Sequence, residues 1–338
     1  ATTAGVNNDV LVELLLVLIV GRLVIMRPSD WSVRGAVGMG AVLGLAFLTK
    51  MQSYIAFGVV LFALGWDVVR GKNAEQRLTW RTALGRAGIM LGVAFLVAAP
   101  WLVRNMLVYG LGDPLGLARH DQVVVGQLTT GEYLAQNGFL ALLRAFFTTS
   151  FRSFWGQFGW MGVLLDGRIY KVLALLSGLT AMGFVLYLVR LRGKGSSLSR
   201  PTQRGLALLG VWAALTTLGY LWWNTKYLQH QGRYLFPALV PWGLAFTLGL
   251  CELLRGPFQF VRAALGLALM ELLVLGVVRG DVQGFGLALV GGAWLALEAG
   301  RWVERRWPGA TIGVAYLGMA ALALVCLYGY VIPALRLE

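Results

Sequence analysis

AVGMGAVLGLAFLTKMQSYIAFGVVLFALGWDVV, residues 36–69, is a long apolar run with a polar step near its middle, at Lys50 and Gln52. Lys50 is the only basic residue between Arg34 and Arg70. A helical membrane crossing takes about 20 apolar residues, so this run is too long for one crossing. The polar step around Lys50 and Gln52 divides it into two short helices forming a hairpin, with Lys50 at the tip.

Working outward, apolar runs of spanning length recur near 10–26, 87–103, 169–189, 206–223, 234–254, 260–278, 283–300 and 310–331. With the hairpin they make about ten crossings. Composition agrees. Hydrophobic residues are 58% of the 338 positions and charged residues 13%, where soluble domains carry roughly 25% charged. The fold expected is all-α: one polytopic transmembrane domain over 1–338, with a long extracytoplasmic segment at 104–168.

The net charge of +14 raises the question of a nucleic-acid partner, and the placement of the charges answers it. With the N-terminus outside, the loops 22–34, 67–86, 190–204, 255–262 and 301–306 fall in the cytoplasm and hold 18 of the 29 basic residues. That asymmetry is an orientation signal and fits contact with anionic lipid. It argues against nucleic acid as a partner. A single crossing at 36–69 would put the loops on either side of it on opposite faces, so the charge pattern requires the hairpin. The segment 104–168 contains GFLALLRAFFTTSF (138–151) and SFWGQFGW (153–160), pieces suited to helices lying along the membrane surface.

Several polar residues lie at the outer helix ends, where chemistry is affordable. Asp9 and Glu13 are one turn apart and share a face of the first helix. Asp9 also suits a helix start, whereas Glu13 lies within the apolar run and needs a partner such as Lys50 or an arginine. Lys50 is placed either to hold a phosphate or to snorkel. In AAPWLVRNMLVYGLGDPLG (98–116), Pro100-Trp101 marks a helix end, Arg104 is a phosphate ligand or a cap, and Gly112-Asp113-Pro114 a turn. His120 and Asp121 form a pair able to do acid–base work. Lys226, His230 and Arg233 gather in NTKYLQHQGRYLFPALVP (224–241), with Lys226 and His230 at i,i+4 spacing if helical. They suit an anionic headgroup or a solvated turn. Glu271 interrupts a late span, as a polar pathway or as a protonated or paired group. Cys251 and Cys326 sit in apolar runs as small hydrophobes. Two histidines, His120 and His230, exclude a histidine-rich metal cluster.

Taken in order, NND (7–9), GLAFLTK (44–50), PWLVRNMLVYGLGDPLG (100–116) and QGRYLFPALVP (231–241) resemble motifs of the C-type (GT-C) membrane glycosyltransferases, the superfamily of protein O-mannosyltransferases and lipid A aminoarabinose transferases. SFWGQFGW is similar to a bacterial branch of that type. The resemblance covers most of residues 1–241. It implies a GT-C-like fold and transfer of a sugar from a polyprenyl-phosphate donor to an acceptor outside the cytoplasm, typically with inversion. It further implies Asp9 as a second acidic residue, Lys50 and Arg233 on the phosphate, and Arg104 in support. Lys226 and His230 belong with the donor site, and His120, Asp121 and Asp9 are second choices as catalytic groups. The family's first span and its principal acid are not found in these residues and are expected upstream of Ala1. No metal ligand is assigned; a divalent cation is the one cofactor left open. The partners implied are the polyprenyl-phosphate sugar and membrane lipids in a bacterial plasma membrane, with both ends of the numbered chain extracytoplasmic. Two rivals stand beside this reading: a transporter or flippase for an anionic lipid-linked substrate, and a non-catalytic subunit bound to other membrane chains.

Overall fold

The computed structural model describes residues 8–27, 30–70, 78–123, 126, 128–159, 161–193, 198–255 and 259–335. Asn7 of NND, Trp160 of SFWGQFGW and parts of the loops 22–34, 67–86, 190–204 and 255–262 lie outside them. The chain is an all-α membrane protein. Its long helices are α1 (Asn8–Ile25), α2 (Val33–Thr49), α3 (Tyr54–Arg70), α4 (Trp80–Tyr109), α8 (Gly167–Gly193), α9 (Arg200–Lys226), α10 (Leu239–Arg255), α11 (Gln259–Arg279), α12 (Gly284–Arg306) and α13 (Ala310–Cys326). Between α4 and α8 come the shorter α5 (Leu117–Val123), α6 (Thr130–Asn137) and α7 (Phe139–Trp155). A two-strand hairpin, β1 (Gln157–Phe158) with β2 (Val163–Leu164), follows α7, and the short α14 (Ile332–Leu335) follows α13. Among the described residues, seven helical stretches are long and apolar enough to cross a membrane. Their outward surface is apolar: on α13, Val314, Leu317, Leu324 and Val325 are all exposed. Such a surface has lipid as its natural solvent.

The chain divides into two compact units, one of Ala1–Phe151 with Leu198–Pro241, the other of Arg152–Ser197 with Trp242–Glu338. In the first, α1 packs on α2, α3 and α9, and α2 lies along α4. Close approach of α2 and α4 depends on Gly40 and Gly44. A Cβ at Gly40 would stand 2.7 Å from the Met90 carbonyl oxygen, and one at Gly44 2.7 Å from Val97 Cβ. Without water to drive association, small residues that let backbones touch are how such helices pair. The buried stripe of α1, Val12, Leu16, Ile19, Val20 and Leu23, repeats at helical spacing.

The 36–69 run forms the expected hairpin. α2 ends at Lys50, which takes extended backbone, and a 3-10 turn, Met51–Ser53, starts α3. One expectation fails in α4, which continues through Pro100 to Tyr109 instead of ending there. Proline removes a single N–H, while every backbone group beyond it would lose its partner if the helix stopped at membrane depth. The helix ends where Gly110 adopts φ +99°, a conformation glycine takes without Cβ strain.

In the second unit, α8 and α10 meet at Gly183 and Gly249. Leu179, Leu253, Val261, Leu265 and Leu297 form a buried cluster. Three arginine–carboxylate pairs join its helices: Arg190–Glu252, Arg255–Glu304 and Arg262–Glu298.

Candidate functional site

The charged residues and histidines singled out from the sequence fall, with one exception, in the first unit. Asp9 lies in the first turn of α1, and Lys50 Nζ donates to its carboxylate Oδ1. Both side chains are about one quarter exposed, 28% for Asp9 and 26% for Lys50. Glu13, one turn deeper, is within electrostatic range of both. Lys50 is held at this position by its backbone N–H, which closes α2 on the Ala46 carbonyl. Beside it, the Ser53 hydroxyl is fully buried and has no hydrogen-bond partner among the described residues. Tyr54 follows; Gly219 of α9 leaves the space that its hydroxyl occupies.

Arg233 sits in a second 3-10 turn, Gly232–Ala238, with its guanidinium 5.6 Å from the Tyr234 ring centroid. The 3-10 conformation suits a segment with Pro237 inside it, since 3-10 turns are used in short pieces. Helix α1 packs against this turn and against the Met51–Ser53 turn. Elements bearing Asp9, Lys50 and Arg233 thus converge at one end of the unit.

His230 behaves differently from its expected role as a cation. Helix α9 ends at Lys226 and Tyr227 is extended, so the i,i+4 alignment of Lys226 with His230 does not occur. Lys226 is exposed over the Trp222 ring, 4.8 Å from its centroid. His230 is buried, its ring set nearly perpendicular to that of Phe146 of α7, 5.3 Å between centroids. Its Nδ1 lies 2.7 Å from Asn224 Oδ1, while Asn224 Nδ2 donates to the Tyr220 carbonyl. That second bond orients the amide so that Nδ1 must be the donor. Burial pushes the His230 pKa down, so the imidazole is neutral at pH 7 with its lone pair on Nε2.

The His120–Asp121 pair is on α5 and is exposed. Tyr227 Oη donates to Asp121 Oδ1 at 2.8 Å, and His120 Nδ1 stands 3.2 Å from the same oxygen. The Tyr227 bond first, then that of His120, holds the Asp121 carboxyl below the usual carboxylate range. Arg104 does not reach this group: it bonds Asn105 Oδ1 and Tyr109 Oη within its own helix. The predicted turn at Asp113 is present, and the Asp113 carboxylate accepts from the N–H groups of Ala118 and Arg119 at the start of α5. The exception is Glu271, which lies on α11 of the second unit, exposed and without an ion pair among the described residues.

Comparison with protein-family models, curated proteins and solved structures found no match. The chemistry is therefore read from the residues. Among the described residues, no group of three or more His, Cys, Asp or Glu side chains is placed to hold a metal ion.

Sequence reasoning missed the side chains that shape the site without carrying charge. Ser150 and Phe146 of α7 dock on Tyr220 by a hydrogen bond and a ring stack. Thr130 of α6 donates to the Asn224 carbonyl at 2.8 Å, and Leu228 N–H bonds the Leu128 carbonyl. These contacts tie the surface helices to the end of α9 across roughly a hundred residues of chain. The only local signal was the polar Asn224 closing an apolar helix.

Proposed function

We propose that the protein is a glycosyltransferase that moves a sugar from a polyprenyl-phosphate donor to an acceptor hydroxyl on the extracytoplasmic side of the membrane. It would be GT-C-like, with about ten crossings: the seven long helical stretches plus α1, α2 and α12. Both ends of the numbered chain would be extracytoplasmic, and the membrane a bacterial plasma membrane. The observation that supports this best is the Asp9–Lys50 bond, made from a helix that also packs against the turn carrying Arg233. All three come from helix ends opposite the arginine-rich loops, the face that the charge asymmetry assigns to the outside.

In the transfer, the acceptor oxygen attacks the anomeric carbon. The bond from that carbon to the phosphate oxygen breaks, its electron pair leaving with the lipid phosphate. The acceptor's proton passes to a carboxylate, for which Asp9 is the nearest group to Lys50, with Asp121 as a second choice. Lys50 and Arg233 supply positive charge where negative charge develops, the largest single contribution to catalysis of this kind. Neutral His230 adds no charge and serves to anchor the chain between α9 and the Arg233 turn. Lys226 and Arg104 would act at the margin of the donor site, by long-range attraction.

A transfer assay on the full-length protein with labelled polyprenyl-phosphate sugars tests this reading. Lys50→Ala and Arg233→Ala should each lose about 100-fold or more of the transfer rate. Undiminished transfer by both variants removes the site assignment.

A further inference from the structure

We infer that Asp9–Lys50 is an exchangeable ion pair, in which an anionic phosphate headgroup takes Lys50 from Asp9 and leaves the carboxylate beside the bound ligand. The inference rests on the transfer reading above and adds to it how the site is kept closed until its substrate arrives.

Charge makes the exchange necessary. Lys50 donates to the Asp9 carboxylate and Glu13 lies within electrostatic range of both, so an anion drawn to Lys50 competes with Asp9 for it. A phosphate that approached Lys50 with Asp9 still attached would meet a carboxylate oxygen, and like charges at contact repel. Once Lys50 turns away from Asp9, the phosphate gains the ammonium, and Arg233 on the neighbouring turn adds a second cation.

The local structure also makes the exchange easy. Lysine is a point charge on a flexible stem with rotatable donors, and this pair is part-exposed, where an ion pair contributes little. Lys50 caps α2 through its backbone N–H and has extended backbone, so its side chain can turn without breaking that helix. No covalent bond changes: one charge-assisted hydrogen bond to carboxylate is replaced by one to phosphate.

The experiment measures binding of polyprenyl phosphate to the full-length protein in nanodiscs of zwitterionic lipid, with inorganic phosphate as a headgroup-only arm. Wild type is compared with Asp9→Asn, Lys50→Ala and the double variant. Removing the internal competitor should make Asp9→Asn bind about three- to tenfold tighter. Lys50→Ala should bind about tenfold weaker or worse, and the double variant should match Lys50→Ala. The same order with inorganic phosphate assigns the exchange to phosphate itself, and the order seen only with the lipid assigns it to the membrane-anchored headgroup. Unchanged or weaker binding by Asp9→Asn overturns the exchange, as does a tightening that persists without Lys50. If Lys50→Ala loses transfer while Asp9→Asn binds no tighter, the exchange falls and the transfer reading stands. If Lys50→Ala and Arg233→Ala both transfer normally, the transfer reading falls whatever Asp9→Asn does.

Discussion

Two acid–base pairs join distant helices within the first unit, and they are built to opposite specifications. Asp67 of α3 and Arg204 of α9 are nearly sealed, with 2% and 8% of their side-chain surface exposed. Arg204 Nε donates to Asp67 Oδ1 at 2.8 Å and its terminal nitrogen to Oδ2 at 3.0 Å. Trp31 Nε1 donates to the same Oδ2, and the remaining guanidinium nitrogen bonds the carbonyls of Leu23 and Met26 at the end of α1. Both groups thereby have partners from two other segments, the end of α1 and the Trp31 loop. In the Asp9–Lys50 pair a flexible ammonium donates to a carboxylate, and both side chains are part-exposed. The difference teaches which pair is structural and which is available to a ligand. A planar, bidentate arginine locked on backbone carbonyls cannot change partner, whereas a lysine at a turn can.

Breaking the sealed pair should have the largest effect on stability. Arg204→Ala leaves the Asp67 carboxylate buried with Trp31 alone, and such an orphaned charge costs about 3–5 kcal/mol. A large fall in melting temperature of the detergent-solubilised protein is expected. Lys50→Ala, measured side by side, should cost about 1 kcal/mol or less. Equal losses from the two variants would erase the distinction between clamp and site.

A smaller effect, dependent on pH, is expected at His230. Its folded-state pKa lies below the unfolded value of about 6.5, so the unfolded chain binds the proton more readily. The stability due to the neutral imidazole is fully present above the unfolded pKa. It declines as pH falls from there toward the folded pKa, by at most about 1.4 kcal/mol per pH unit for one proton. A melting-temperature series from pH 8 to about pH 5 in wild type and His230→Gln checks this; the variant should show the shallower slope.

The smallest effect belongs to the exposed cluster on α5. Tyr227→Phe removes the leading cause of the lowered Asp121 pKa, so the Asp121 carboxyl should titrate closer to its ordinary range. The melting temperature should not move, because the bond is solvent-exposed. Titration of the labelled Asp121 carboxyl carbon by NMR reads the first effect, and a marked loss of stability would show that α5 is part of the core.

Residues 36–69 illustrate how far hydropathy alone reaches. Length forbade one crossing, charge asymmetry demanded two, and the helices meet at Lys50 as both required. Pro100 reads as a helix end and is not one, because proline is a strong stop signal only in water, where freed backbone groups find solvent. In an apolar run the helix has no such alternative. Arg204 was counted only as a positive charge in a loop, although it is buried against Asp67. Nothing in the sequence near 67 or 204 announces a partner 137 positions away.

By itself the sequence determined that the chain is a helical membrane protein, where most of its helices run, and that Asp9, Lys50 and Arg233 lie at helix ends. Those properties follow from local quantities, the length of apolar runs and the placement of charge. Only the tertiary structure decided that Lys50 reaches Asp9, that His230 is buried against Asn224 and Phe146, and that Arg204 is a clamp. Each depends on which helix faces come together, and in a chain apolar on nearly every face the hydropathy pattern carries little information about that choice.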